Sequence, residues 1–332
     1  MAAISKRYFL FRTLQSLFMI WVAVTVLFFM FRLLPGDYTS IMMYRGAGPE
    51  AIEQFREDWG LNDPLYVQYY AYVVNMLQGD AGTSLQYRRP VWDFVKMGIF
   101  NSFILVAPGI TLGYILGSTY GLLAGTNRGS KLERYGIVPI IFIGSFPSFF
   151  IAIFLIIIFA GWLGWFPTSG MVSSETRRAL GGDAAWWQVY ATRDFAWHFV
   201  LPFTAVVLRY LFLPSLIMRT SVVEVQGQGF SYYQRIAGLP KAKRLRNTAK
   251  HASLPVITLY PVSMTRAIGG LILIEMVFNW PGIGFTLVQA VLGRDYPVVM
   301  FVFFLIAVFI ILANFLVDIV YGLIDPRVTV GE

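Results

Sequence analysis

Cysteine is missing altogether from this 332-residue chain, so disulfides, thiolate metal sites and thiol redox chemistry are excluded by inventory. Histidine occurs twice, as His198 and His251, far apart and without a metal-ligand spacing, so both read as structural or interfacial residues and no metal site is expected. Charge is scarce too: 13% of residues are Asp, Glu, Lys or Arg, against 57% hydrophobic, with a mean hydropathy of +0.63. A soluble domain of this length has no use for so much apolar surface, so the composition specifies an integral membrane protein, and its helix-length apolar runs make it an all-α one. No Gly-Lys pair occurs anywhere, which removes the phosphate-binding loop G-x-x-x-x-G-K-[ST] and with it ATP hydrolysis by this chain. Neither H-E-x-x-H, G-x-S-x-G nor a paired-carboxylate constellation appears, so a membrane-embedded enzyme has no support.

What is present is long apolar runs. Six have the length of a helical crossing, which takes about 20 residues. They cover 8–34, 99–125, 137–161, 199–218, 256–278 and 298–323. The first follows Lys6 and Arg7, as a signal peptide would, but its apolar run is too long and no small-x-small cleavage site follows, so it is expected to stay in the mature protein. The net charge of +8 is concentrated in short loops instead of spreading over a face with aromatic partners, which argues against nucleic acid and for topology. Cations cluster at Lys6, Arg7 and Arg12, at Arg128, Lys131 and Arg134, and along 219–250. These regions are expected in the cytoplasm, both termini with them, and 35–98, 162–198 and 279–297 outside.

The cytoplasmic segment after the fourth run is about 35 residues long, where roughly 2 to 8 would join antiparallel spans. It reads as helix over 231–237, a break at Gly238 and Pro240, and helix over 241–252. Two readings are open on composition: a charged loop that only fixes topology, or a docking element. The second run carries Gly109, Gly113, Gly117, Gly121 and Gly125, each four residues after the last, a groove that admits another helix backbone or else a gating hinge. Pro147 and Pro261 read as kinks that shape a cavity. The 35–98 loop holds an amphipathic stretch around 49–59 and a Tyr/Val-rich one around 66–77, enough for a small lid or platform, while its aromatics also suit interfacial anchoring. Arg209 and Arg266 fall near the middle of the fourth and fifth runs. An arginine there costs at least about 2.5 kcal/mol, so each must face protein or water; both are candidates, with Glu275, for a translocation path.

Several stretches carry a resemblance. They are Arg219-Thr220-Ser221-Val222-Val223-Glu224-Val225 with Gly238-Leu239 and Leu254-Pro255; Leu34-Pro35-Gly36-Asp37; Gly60-Leu61-Asn62-Asp63-Pro64-Leu65; and Gln78-Gly79-Asp80-Ala81-Gly82-Thr83-Ser84. Further along come Pro147-Ser148-Phe149, the 165–170 stretch from Trp165 to Gly170, the 275–284 stretch from Glu275 to Gly284, Arg294-Asp295-Tyr296-Pro297 and Asp325-Pro326-Arg327. Taken in chain order, over nearly the whole chain, they resemble permease subunits of ABC importers of the dipeptide/oligopeptide/nickel group. The chain departs from that pattern at Gln234-Arg235-Ile236-Ala237-Gly238, where the family reads like Ala-Arg-Ala-Lys-Gly, and is one residue shorter between Gly238 and Pro255.

The resemblance implies one transmembrane permease domain over 1–332, a type I importer fold of six transmembrane helices in the inner membrane, and a coupling loop over 219–255. Within that loop it points to Glu224, Tyr232, Tyr233, Gln234, Arg235, Ala237, Gly238 and Leu239 as ATPase-coupling residues. It also implies partners: a second homologous permease, two ATPases that hold the ATP and Mg, and an extracytoplasmic substrate-binding protein. The cargo is peptides, or else oligosaccharides, opines or nickel chelates. The rival class, a secondary transporter, would carry acid or histidine relays in its spans and two similar halves. The acids placed in the six runs are Glu275 and Asp318, towards run ends, and no repeat is visible.

Overall fold

The computed structural model describes residues 6–33, 43, 48–58, 60–181 and 185–324. Leu34-Pro35-Gly36-Asp37 and Asp325-Pro326-Arg327 lie outside the described residues. Among those described, regular structure is helical apart from a single isolated bridge, Thr83 with Pro90. The helices are α1 (Lys6–Arg32), α2 (Pro49–Asp58), α3 (Leu65–Gln78), α4 (Val91–Thr126), α5 (Lys131–Ser145), α6 (Ser148–Leu155), α7 (Ser174–Leu180), α8 (Arg193–Gly227), α9 (Gly229–Ile236), α10 (Lys241–Ala252), α11 (Leu254–Gly270), α12 (Ile272–Val277), α13 (Ile283–Leu292) and α14 (Tyr296–Ile324).

Among the described residues, four helices are long and apolar enough to cross a membrane, within 7–32, 91–126, 193–227 and 296–316. The third apolar run is not one straight helix. Pro147 cannot continue the α5 hydrogen-bond ladder and instead sits at the N-cap of α6, so the two helices meet at 108° and the pair counts as a fifth crossing only if taken together. The fifth run is divided as well. After Gly269 and Gly270 the backbone opens at Leu271 (φ −98°, ψ −7°), leaving α11 with 17 residues and α12 with six.

The chain forms two compact units. The first comprises Met1–Gly98 with Thr286–Glu332. In it α1 packs along α14, fastened near one end by Arg12 to Asp318 at 3.2 Å and by the Tyr8 hydroxyl donating to the Asp318 carbonyl at 3.3 Å. Phe28 of α1 meets Tyr69 and Tyr72 of α3, and Thr25 shares a 2.6 Å hydrogen bond with the Tyr69 hydroxyl. The fully buried Asp295 organises the turn before α14: Ser84 donates its hydroxyl to it, and the Leu85 and Gln86 N–H groups donate at 3.1 Å each. Ser84 in turn accepts from the Tyr87 N–H at 2.9 Å. A buried carboxylate without such donors would be untenable in this setting.

The second unit, Ile99–Phe285, is built around α4 and α8. A Cβ placed on Gly113 would come within 2.9 Å of the Val207 carbonyl oxygen; on Gly121, within 2.5 Å of that of Ser215; and on Gly117 it would collide with that of Leu211. At the two ends of the ladder Gly109 faces the Val206 side chain and Gly125 that of Val222. The four-residue repeat therefore runs along α8, and α8 approaches to backbone contact. Gly144 of α5 likewise leaves room for the Phe212 ring of α8. Leu105, Ile110, Val206, Val222, Ile274 and Trp280 are buried at the centre of this unit.

Candidate functional site

The segment after α8 forms a short helix, a tight turn and a second helix. Gln228, extended at ψ 149°, ends α8 and starts α9, which runs from Gly229 to Ile236. The turn follows from one residue. Gly238 takes φ +69°, which a side chain disfavours, and so lets its own N–H reach the Arg235 carbonyl at 3.1 Å while Leu239 N–H reaches that of Gln234 at 3.2 Å. Pro240 then caps α10, whose missing donor costs a helix start nothing.

Both helices pack on α8, and Phe230 turns inward to lie 5.0 Å from the His251 ring. Its neighbours turn outward: Tyr232, Tyr233 and Ile236 are 63%, 71% and 66% exposed, with Arg235, Ala237 and Gly238 exposed beside them and Gln234 and Leu239 half-buried. An eight-residue helix that shows two tyrosines and an isoleucine to its surroundings, with the turn behind it fixed by the backbone hydrogen bonds of Gly238 and Leu239, has the form of a rigid apolar peg. Cations flank it, Arg235 on α9 and Lys241, Lys243, Arg246 and Lys250 on exposed positions of α10. Glu224 is exposed on α8 just before the segment and makes no side-chain hydrogen bond or ion pair with any described residue. Seven of the eight coupling candidates are thus brought together on α9 and its turn, and Glu224 stands apart on α8.

The three path candidates do not share one environment. Arg209 is half-buried on α8, its guanidinium carbon 5.8 Å from the Tyr210 ring centre, and Arg266 is exposed on α11. Neither has an ion pair or a side-chain hydrogen bond among the described residues. Glu275 differs. It is 2% exposed and its carboxylate is fully engaged, accepting the Ser102 hydroxyl at 2.5 Å and the Phe285 N–H at 2.9 Å. Ser102 also accepts the Ile283 N–H at 2.8 Å, and a Cβ on Gly282 would strike the Glu275 carboxylate. Glu275 therefore holds the loop between α12 and α13 against α4, inside the second unit. Asn101 completes this fastening by donating to the Pro281 carbonyl at 2.8 Å and accepting the Tyr190 hydroxyl at 2.6 Å. Replacing Glu275 with alanine strands the Ser102 hydroxyl and the Phe285 N–H, at about 1–3 kcal/mol for such buried groups. Thermal unfolding of the purified protein should show the loss, with Glu275→Gln, which keeps one acceptor, losing less.

A partly buried ion pair joins α5 to α8, and sequence reasoning alone does not single it out. Glu133, buried near the start of α5, accepts the Gly129 N–H at 2.5 Å and the Arg219 Nε–H at 2.7 Å, with a second guanidinium N–H on the same oxygen. Its local half was legible: Ser130-x-x-Glu133 is a capping-box spacing, and Ser130 Oγ accepts the Glu133 N–H at 3.3 Å. Its partner lies 86 residues on, which no local pattern signals.

Long apolar helices joined through a helix-turn-helix are those of a membrane protein. Family comparison agrees: residues 109–330 match the model described as binding-protein-dependent transport system inner membrane component, and residues 6–94 match the model of the N-terminal part of such membrane components. The chain belongs to this family and is a multi-pass inner-membrane permease. It is 33% identical over 327 residues to the oligopeptide transport system permease protein AppB of Bacillus subtilis, covering 97% of this chain and 98% of that one. It is 31% identical over 329 residues to a putative peptide permease protein of Brucella suis, covering 98% and 99%. It is 32% identical over 311 residues to the glutathione transport system permease protein GsiC of Escherichia coli K12, covering 92% and 93%.

Proposed function

We propose that the chain is one of two permease subunits of an ATP-driven importer that takes up peptides delivered by a substrate-binding protein. The observation that carries this reading is α9, an exposed apolar peg on a fixed turn, attached to a helix that runs on through the membrane-length α8. Such a peg suits the groove of a cytoplasmic ATPase, and the cations around it suit an acidic rim. Closure of two ATPases around ATP would then push on α9 and rock the helices behind it. ATP and Mg belong to those subunits; this chain binds neither. In this reading there are six crossings, with α11 and α12 together forming the fifth, both termini are cytoplasmic, and α2 and α3 lie outside, where the binding protein docks. Peptide cargo is supported by the relatives, which are named for oligopeptides, peptides and glutathione. Copurification tests the assembly: the tagged chain should bring down a second permease and two ATPases, whereas uptake by the chain alone would overturn the reading.

In the same reading Arg209 and Arg266 line the path and hold a peptide carboxylate transiently. Arg209→Gln and Arg266→Gln keep hydrogen bonding and remove charge. Uptake of peptides with a free C-terminal carboxylate should fall about tenfold, the equivalent of roughly 1.4 kcal/mol, while amidated peptides are carried as before. Equal loss of both, with poor assembly, would make the arginines structural.

A further inference from the structure

We infer that Glu133 and Arg219 form a clasp that makes the cytoplasmic ends of α4, α5 and α8 move as one body when α9 is pushed. This rests on the docking of α9 proposed above. Arg219 touches both neighbours of α8 at once. Its backbone lies against the glycine ladder of α4, where a Cβ on Gly121 would come within 3.0 Å of its N and one on Gly125 within 2.9 Å of its carbonyl oxygen. Its side chain reaches the other way, to Glu133 of α5, donating from Nε at 2.7 Å and from Nη2 to the same carboxylate oxygen. The other oxygen of Glu133 accepts the Gly129 N–H, so the carboxylate also pins the turn that joins α4 to α5.

The chemistry of the contact matters for how force passes. Ridges of apolar side chains can slip past one another at little cost, whereas two charge-assisted hydrogen bonds onto one oxygen fix both separation and orientation. Glu133 is buried, so water is a poor substitute partner if the pair separates, although the Arg219 side chain is 30% exposed. Since α9 and α10 both pack on α8, a displacement of α9 is delivered through α8 to α4 and α5 together. Without the clasp, α8 could shift alone and leave the bent α5–α6 pair behind.

The test uses the assembled transporter in nanodiscs, with spin labels on Tyr135→Cys of α5 and Lys243→Cys of α10, both exposed positions in a chain free of cysteine. Pulsed electron paramagnetic resonance reads the distance between them before and after trapping the ATPases with ATP and vanadate. In the unaltered pair the distance distribution should be the same in both states. Glu133→Gln and Arg219→Gln should each make it shift or broaden on trapping, and the reversed pair, Glu133→Arg with Arg219→Glu, should restore the invariance at least in part. A nucleotide-dependent shift in the unaltered pair, or invariance in both glutamine variants, would overturn the clasp. So would loss of assembly in all three variants, which would reduce the pair to a folding contact. The docking of α9 is read separately, by crosslinking α9 to an ATPase: crosslinking retained alongside invariant glutamine variants sinks the clasp alone, and absent crosslinking sinks the docking itself.

Discussion

Gly117→Leu is expected to leave little of the protein correctly assembled. The Cβ it introduces collides with the Leu211 carbonyl oxygen and lies 2.9 Å from the Pro214 ring, so relief requires α8 to move bodily away from α4. Backbone at the contact cannot rotate aside as the end of a long side chain can. Overpacking costs typically 1–3 kcal/mol and occasionally more, and a rigid obstacle places this site at the upper end, a sizeable part of the roughly 5–15 kcal/mol that separates folded from unfolded states. Separation of α4 from α8 would also open the contacts of Gly113 with the Val207 and Tyr210 backbone and those of Gly121 with Ser215. Size-exclusion of the detergent-extracted protein should show the monodisperse peak largely lost. Gly269→Ala is the matched control, because nothing lies within 4 Å of a Cβ there; its peak and melting temperature should be unchanged or slightly raised.

Gly238→Pro is expected to act on transport and not on assembly. Proline is held near φ −65°, whereas this position takes +69°, and the replacement also removes the N–H that reaches the Arg235 carbonyl. The turn must re-form, and α9 is then presented at another angle. No atom lies within 4 Å of a Cβ at this exposed position, so the core of the second unit is untouched and membrane insertion should be normal. Uptake by the assembled complex should fall at least tenfold, the size expected if docking loses about 1.4 kcal/mol or more. Gly238→Ala, which keeps the N–H and bears only the left-handed strain of about 1 kcal/mol, should fall in between.

The two glycine features were readable in the sequence because each is local. A four-residue repeat of glycine within one apolar run has few meanings, and a glycine followed closely by proline between two helix-forming stretches marks a turn whatever the tertiary structure does. The helix expected over 231–237 is observed over Gly229–Ile236. What escaped is what depends on distant partners. The bend at Pro147 is a kink in the sequence, but its 108° is set by α6 turning to pack on α8 and α12. Glu275, an acid in an apolar run, resembles a path residue until Ser102, 173 residues earlier, and the Phe285 N–H are brought against it. The pairing of Glu133 with Arg219 is not legible in the sequence, because a long-range ion pair leaves no periodic trace.

We propose that α9 is the part of this chain that an ATPase grips. The chain has no cysteine of its own, so a single one at Tyr233 or Arg235, both exposed on α9, reports on that position alone. In the complete complex, with the cognate ATPases and second permease present, a short bifunctional thiol reagent should join either position to an ATPase subunit carrying cysteines around its groove. A cysteine at Tyr135 on α5 should give no such product. Crosslinks from 233 and 235 but not from 135 are expected; an assembled complex in which neither 233 nor 235 ever crosslinks to an ATPase would mean that the ATPase grips the chain elsewhere.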